Sequence, residues 1–134
     1  VVDAYAHACV VFIDIVDYTR FSAAKSPTEL VEVLDHLFDR MDHLCDLHRC
    51  LKVKTVGDCY MMAAGVLRQG ESEAETLLKC LLFTWRMIAE MQVLNEELGT
   101  TFQVRAGMDL GEVTGGARTI LLVNEHCEGS MRLM

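Results

Sequence analysis

Positive charge is scarce in this chain. Its 134 residues carry 12 Lys plus Arg against 20 Asp plus Glu, a net charge of −8. That balance repels phosphate backbones and anionic lipid, so no nucleic-acid partner and no membrane contact by this segment are expected. A polyanionic ligand would need a metal ion as intermediary. Long apolar runs are missing as well. Lys79 interrupts the stretch from Leu77 to Trp85, and nothing approaches the roughly 18 consecutive apolar residues of a spanning helix. The opening VVDAYAHACV has neither a basic region nor Met, so no signal peptide is expected, and the absent Met reads as the mark of a fragment or an excised domain. Proline occurs once, at Pro27, and there is no repeat or low-complexity segment to act as a linker, so residues 1–134 read as one domain. Zinc-type cysteine spacing is also lacking. Cys9, Cys45, Cys50, Cys59, Cys80 and Cys127 lie irregularly among apolar neighbours, and Cys45 and Cys50, the closest pair, have no second pair to complete a site. They read as buried thiols in a reducing, cytoplasmic setting or at the cytoplasmic face of a membrane.

What is present is enough apolar material for a core, 51% of the residues. Ala8 to Val16 (ACVVFIDIV) is a β-branched run of strand length with one acid, Asp14, set into it. Ser26-Pro27-Thr28-Glu29 reads as a helix start with Ser as cap, Pro at the first helical position and Glu three residues on. Apolar residues from Leu30 to Cys45 then recur at helical spacing, to about His48. Leu51 to Val56 alternates with period two, Gly57-Asp58 forms a two-residue turn, and Cys59 to Ala63 returns as a second strand. A second capping pattern, Ser72 with Glu75, opens a helix that runs to Leu98 and stops at Gly99. Phe102 to Leu110 is read as the fourth strand and Gly111 to Gly116 as a turn-rich ending. His36 and His43 read as part of a solvated helix flank, and Met61, Met62, Met87 and Met91 as core or dimer-face residues.

The order strand, helix, strand, strand, helix, strand is the split βαβ arrangement, so the expected fold class is α+β, ferredoxin-like (βαββαβ). Right-handed crossovers place the third strand between the first and second, antiparallel to the first. Asp14 and Asp58, 44 positions apart, should then meet on one edge of the sheet. An acid inside an apolar strand is costly unless its charge is compensated. Each acid alone has an ordinary explanation, Asp58 as a turn residue and Asp14 as a cap. Two carboxylates facing one point suit a hard divalent cation such as Mg²⁺.

The same residues carry a family resemblance. Phe12 to Phe21 (FIDIVDYTRF) resembles the F-x-D-I-x-x-x-T-x-F signature of class III nucleotidyl cyclases. Lys52 to Met61 (KVKTVGDCYM) is similar to their K-[IV]-K-T-[IV]-G-D-x-Y-M hairpin, and Val104 to Gly111 (VRAGMDLG) to their R-x-G-x-x-x-G strand. The blocks stand in the family's order between residues 8 and 116. The resemblance implies a palm-type cyclase domain in which Asp14 and Asp58 bind two cations, Mg²⁺ or Mn²⁺, with the Ile15 carbonyl as a third ligand. It further implies that Val16, Asp17, Tyr18 and Thr19 form the turn holding the β- and γ-phosphates, beside Val56 and Gly57 of the hairpin. Arg105 would contact the phosphates. Lys54 would read the base, since a lysine donor suits the N1 acceptor of adenine and a carboxylate suits guanine. The implied reaction is attack of the ribose 3′-oxygen of ATP on the α-phosphorus, giving 3′,5′-cyclic AMP and pyrophosphate. The implied partner is a second cyclase domain, in a homodimer or heterodimer. A catalytically silent regulatory cyclase-like domain and a guanylate cyclase are the alternatives.

The sequence departs from the family in two places. Asp17 stands where the family often has Gly. Residues 117–134 do not resemble the family's V-N-x-A-x-x-R helix, because Arg132 lies too far from Asn124.

Overall fold

A computed structural model describes residues 2–116 and 119–123 of the chain. Its described strands form one antiparallel sheet in the order β2-β3-β1-β4-β5, built from β1 (Val2–Ile15), β2 (Leu51–Val56), β3 (Cys59–Ala64), β4 (Val104–Gly116) and β5 (Thr119–Val123). Helices α1 (Tyr18–Ala23), α2 (Pro27–His48) and α3 (Glu73–Leu98) connect them. The third strand does lie between the first and second, as the crossover argument requires, and the α+β, ferredoxin-like core is present. None of the described helices is long and apolar enough to cross a membrane.

Local chemistry accounts for the helix limits. Ser26 Oγ accepts from the Glu29 amide while the Glu29 carboxylate accepts from the Ser26 amide, so two orphan donors at the start of α2 are satisfied reciprocally. The bond from the Ser26 amide also holds the Glu29 carboxyl below its ordinary range. At α3 the Ser72 hydroxyl accepts from the Glu75 amide, and the helix ends at Gly99 with φ 63°.

Alternation along β1 divides the molecule into two layers. Cys9, Val11, Ile13 and Ile15 point to the helices and pack with Leu37, Met41, Tyr60, Met62, Phe83, Met87 and Leu94. Ala8 and Val10 point the other way, onto Met61, Ala63 and Val113. All four methionines assigned to the core are buried, and His36 and His43 are exposed. Cys9, Cys45, Cys50, Cys59 and Cys80 are unpaired thiols, with Cys50 pushed up to about 12 by burial; Cys127 lies outside the described residues.

Four expectations need correction. The first strand begins at Val2 rather than Ala8, and it ends at Ile15. Strand β4 starts at Val104 and continues through Gly116, so the glycine-rich stretch from Gly111 is not a turn. Its partners are Val2 to Tyr5 and Ala8 of β1, and a ladder between segments more than a hundred residues apart outweighs the local weakness of Gly111, Gly115 and Gly116 in a strand. Helix α1 and strand β5 complete the list, both absent from the expected six-element order.

Candidate functional site

β1 runs out of the core at Ile15, and the chain turns through Val16 and Asp17 into α1. Asp17 takes φ 56° and ψ 32°, left-handed values that glycine adopts without strain, which gives a physical reason for glycine at this position. Two contacts hold the turn down. The Val16 amide donates to the Gln103 carbonyl at 2.8 Å, and Phe21 meets Phe102 edge to face at 4.4 Å between ring centres.

The β2–β3 hairpin brings the second acid to the same end of the sheet. Val56 pairs with Cys59, closing a two-residue turn in which Gly57 has φ 57°. Because β3 is antiparallel to β1 in the register Ile13 to Tyr60, this turn lies beside the end of β1. Asp58 Oδ2 accepts from the Ile15 amide at 3.1 Å. On the other side of β1, Asp14 pairs with Arg105 of β4, and Arg105 Nε donates to Asp14 Oδ1 at 2.6 Å.

These elements enclose an open cleft of about 640 Å³. Asp14, Ile15, Asp17, Tyr18, Thr19, Asp58 and Arg105, all singled out from the sequence, line it together. Arg20 and Ala23 of α1 line it too, and the sequence reading missed them. Arg20 sits inside the first motif at a position the signature leaves open, and a six-residue helix is too short for periodicity to reveal. Val16 borders a neighbouring cleft of about 380 Å³ instead, with Phe21 and Phe102. Lys54, Val56 and Gly57 lie outside the acid cleft's lining.

Three acids, Asp14, Asp17 and Asp58, line the cleft against two arginines, Arg20 and Arg105. The hydrogen bond to Asp14 raises the pKa of Arg105 above its ordinary value, and attraction from Asp14, Asp58 and Asp17 adds to it. Cys59, paired with Val56, has its thiol pushed up first by burial and then by Asp14 and Asp58. As a donor set for a cation, the cleft offers two carboxylates and the backbone of Ile15, all hard oxygens of the kind Mg²⁺ and Mn²⁺ take. No group of three acid, His or Cys side chains with metal-binding geometry is present among the described residues, so a cation here would rely on backbone, water or substrate oxygens for the rest of its shell.

Lys54 owes its position to a feature the period-two reading hid. Strict alternation would put Lys52 and Lys54 on one face. The register of β2 against β3 shifts between them, so that Lys52 pairs with Met62 and Lys54 with Met61. Met62 belongs to the helix-side core and Met61 to the opposite layer, so the bulge sends the two lysines to opposite faces. Lys52 on the helix side bonds Asp42 at 2.9 Å, next to the Tyr60 hydroxyl's 2.7 Å bond to the same carboxylate. Lys54 joins the cross-strand row Lys54–Met61–Phe12–Gly107. Asp14 and Arg105 form the next row on that face. One pleat repeat and two strand spacings separate Lys54 from Asp14, about 12 Å between backbones.

A family model for the adenylate and guanylate cyclase catalytic domain matches residues 1–121. The chain is 36% identical over 111 residues to the germination-specific adenylate cyclase of Dictyostelium discoideum, covering 82% of this chain and 13% of that protein. It is 33% identical over 107 residues to guanylate cyclase soluble subunit beta-2 of Rattus norvegicus, covering 80% and 15%. The chain therefore spans a small part of the length of these relatives. Among solved structures it is similar to the catalytic core of a rhodopsin-guanylyl cyclase with converted specificity in complex with ATPαS. The TM-score is 0.80 and the identity 25%, over 92% of this chain and 68% of that one.

Proposed function

The chain belongs to the family of adenylate and guanylate cyclase catalytic domains, and from that premise we propose that it is an adenylate cyclase domain converting ATP to 3′,5′-cyclic AMP and pyrophosphate. In this reading Asp14, Asp58 and the Ile15 carbonyl hold two divalent cations, Mg²⁺ or Mn²⁺. When bound, these cations supply acidification of the ribose 3′-hydroxyl and neutralisation of the triphosphate. The 3′-oxygen gives its proton to solvent water and attacks the α-phosphorus in line, and the bond from the α-phosphorus to the bridging oxygen breaks, releasing pyrophosphate. The chain's own residues orient these groups. The turn from Val16 to Thr19 receives the β- and γ-phosphates, Arg105 adds positive charge to them, and Lys54 donates to adenine N1, with Val56 and Gly57 at the edge of the base site. A second cyclase domain, identical or related, faces the cleft, and a related one supplies the Asn and Arg for which this sequence has no correctly spaced pair.

The observation that carries the reading is the meeting of Asp14, Asp58 and Arg105 in one cleft from two strands and a hairpin turn, Asp14 and Arg105 being 91 positions apart. The choice of ATP rests on Lys54 and on its row lying beside the Asp14 row. A guanylate cyclase is the second reading, favoured by the similarity to the rat protein. Lys54→Glu separates the two. With a complementary cyclase domain and Mn²⁺ present, the substitution should lower the ratio of cyclic AMP to cyclic GMP formed by about tenfold or more, since it exchanges a donor for an acceptor at the base edge. An unchanged ratio removes Lys54 from base reading.

A further inference from the structure

Asp14 is an acid set between buried apolar residues at the end of β1. Its neighbours Ile13 and Ile15 are buried in the helix-side core, and its own side chain is about one-third exposed, 32%. Asp17 and Asp58 line the same cleft, as does a second arginine, Arg20. Uncompensated, the carboxylates would repel one another at the end of the sheet. Arg105 answers that repulsion: it reaches across from β4 to Asp14 Oδ1 at 2.6 Å, while its side chain remains 69% exposed.

That combination describes a contact made to be broken. A guanidinium fixed for structure is buried and forked onto its carboxylate, whereas an exposed pair contributes little and is screened by salt. Arg105 bonds through Nε, on the rim of the cleft, to one of the two acids proposed to take the divalent ions. A divalent ion approaching Asp14 carries twice the charge of the guanidinium and is drawn by Asp58 as well.

Resting on the cation assignment above, we propose that Arg105 is an exchangeable counter-ion: it occupies Asp14 in the metal-free protein, yields it to the incoming divalent cation, and is thereby released toward the nucleotide phosphates. One side chain then serves the two states in turn. Nucleotide-free protein keeps its acidic cleft compensated, and cation binding is coupled to the freeing of a phosphate-binding group. The coupling is reciprocal, so the same exchange weakens the cation's apparent affinity when no nucleotide is present.

The test is Mn²⁺ binding without nucleotide, measured by calorimetry and by the signal of unbound Mn²⁺ in electron paramagnetic resonance, on the wild-type chain, Arg105→Ala, Arg105→Gln and Asp14→Asn. Removing the competitor should tighten Mn²⁺ binding by about fivefold in both arginine variants, the scale of one exposed ion pair. The metal-free variants should also melt at a lower temperature than wild type. Arg105→Gln, close in size and uncharged, stands in if the alanine variant fails to fold. Unchanged or weaker binding in the folded arginine variants, with Asp14→Asn still losing the cation, overturns the exchange and leaves the metal site standing. Undiminished binding in Asp14→Asn overturns the metal assignment and the exchange with it.

Discussion

The two faces of the sheet do different work with alternate residues of the same strands. On β1, Ile13 and Ile15 go to the helices and are almost fully buried, while Phe12 and Asp14, one position away, go to the other face. On β2, Lys52 is held on the helix side by Asp42, and Lys54 is delivered to the opposite side by a register shift. The helix face is closed by apolar packing from α2 and α3. The other face ends in an open cleft of acids and an exposed arginine. Stability and chemistry here are separated by direction, at spacings of a single residue.

Substitutions of adjacent residues should therefore fail in opposite ways. The largest effect is expected from Asp14→Ala. Cyclic nucleotide formation, assayed with a complementary cyclase domain, should fall by at least about a hundredfold through the lost metal ligand. Circular dichroism should still report a folded chain, because no core contact goes with the carboxylate. Next to it, Ile13→Ala should do the reverse. Removing a side chain that is 1% exposed from the helix-side core should cost about 2–5 kcal/mol in chemical denaturation. Activity per folded molecule should stay much closer to wild type. If Ile13→Ala instead removed activity from protein that remained fully folded, the division between faces would be wrong. The smallest effect sharpens the same contrast at a distance from both sites. Ser26→Ala breaks the reciprocal cap of α2 and should cost about 1 kcal/mol of stability, read by denaturant titration, with no change in nucleotide preference.

Much of the helix face was legible because local chemistry writes it. Ser26-Pro27-Thr28-Glu29 marks the start of α2, and the hairpin from Leu51 through Gly57-Asp58 matches β2 and its turn residue for residue. The meeting of Asp14 with Asp58 followed from topology, because crossover handedness leaves one place for β3. What stayed hidden depends on distant partners or on single-residue irregularities. The strand character of Gly111 to Gly116 is conferred by the amino-terminal half of β1. Helix α1 and the turn before it are held by Phe102 against Phe21 and by Gln103 bonded to Val16, contacts no local pattern announces. The bulge between Lys52 and Lys54 inverts the face of a proposed site residue while leaving the sequence pattern unmarked. For the same reason the pairing of Arg105 with Asp14 emerged only with the β1–β4 register.

Adenylate cyclase activity is read most directly as product formation by the wild-type chain mixed with a complementary cyclase domain in Mn²⁺, with ATP and GTP supplied separately. Cyclic AMP and pyrophosphate are expected from ATP, at a rate well above cyclic GMP from GTP. A folded chain in a confirmed dimer that forms neither product would contradict that activity, and would identify the domain as a silent, regulatory member of its family.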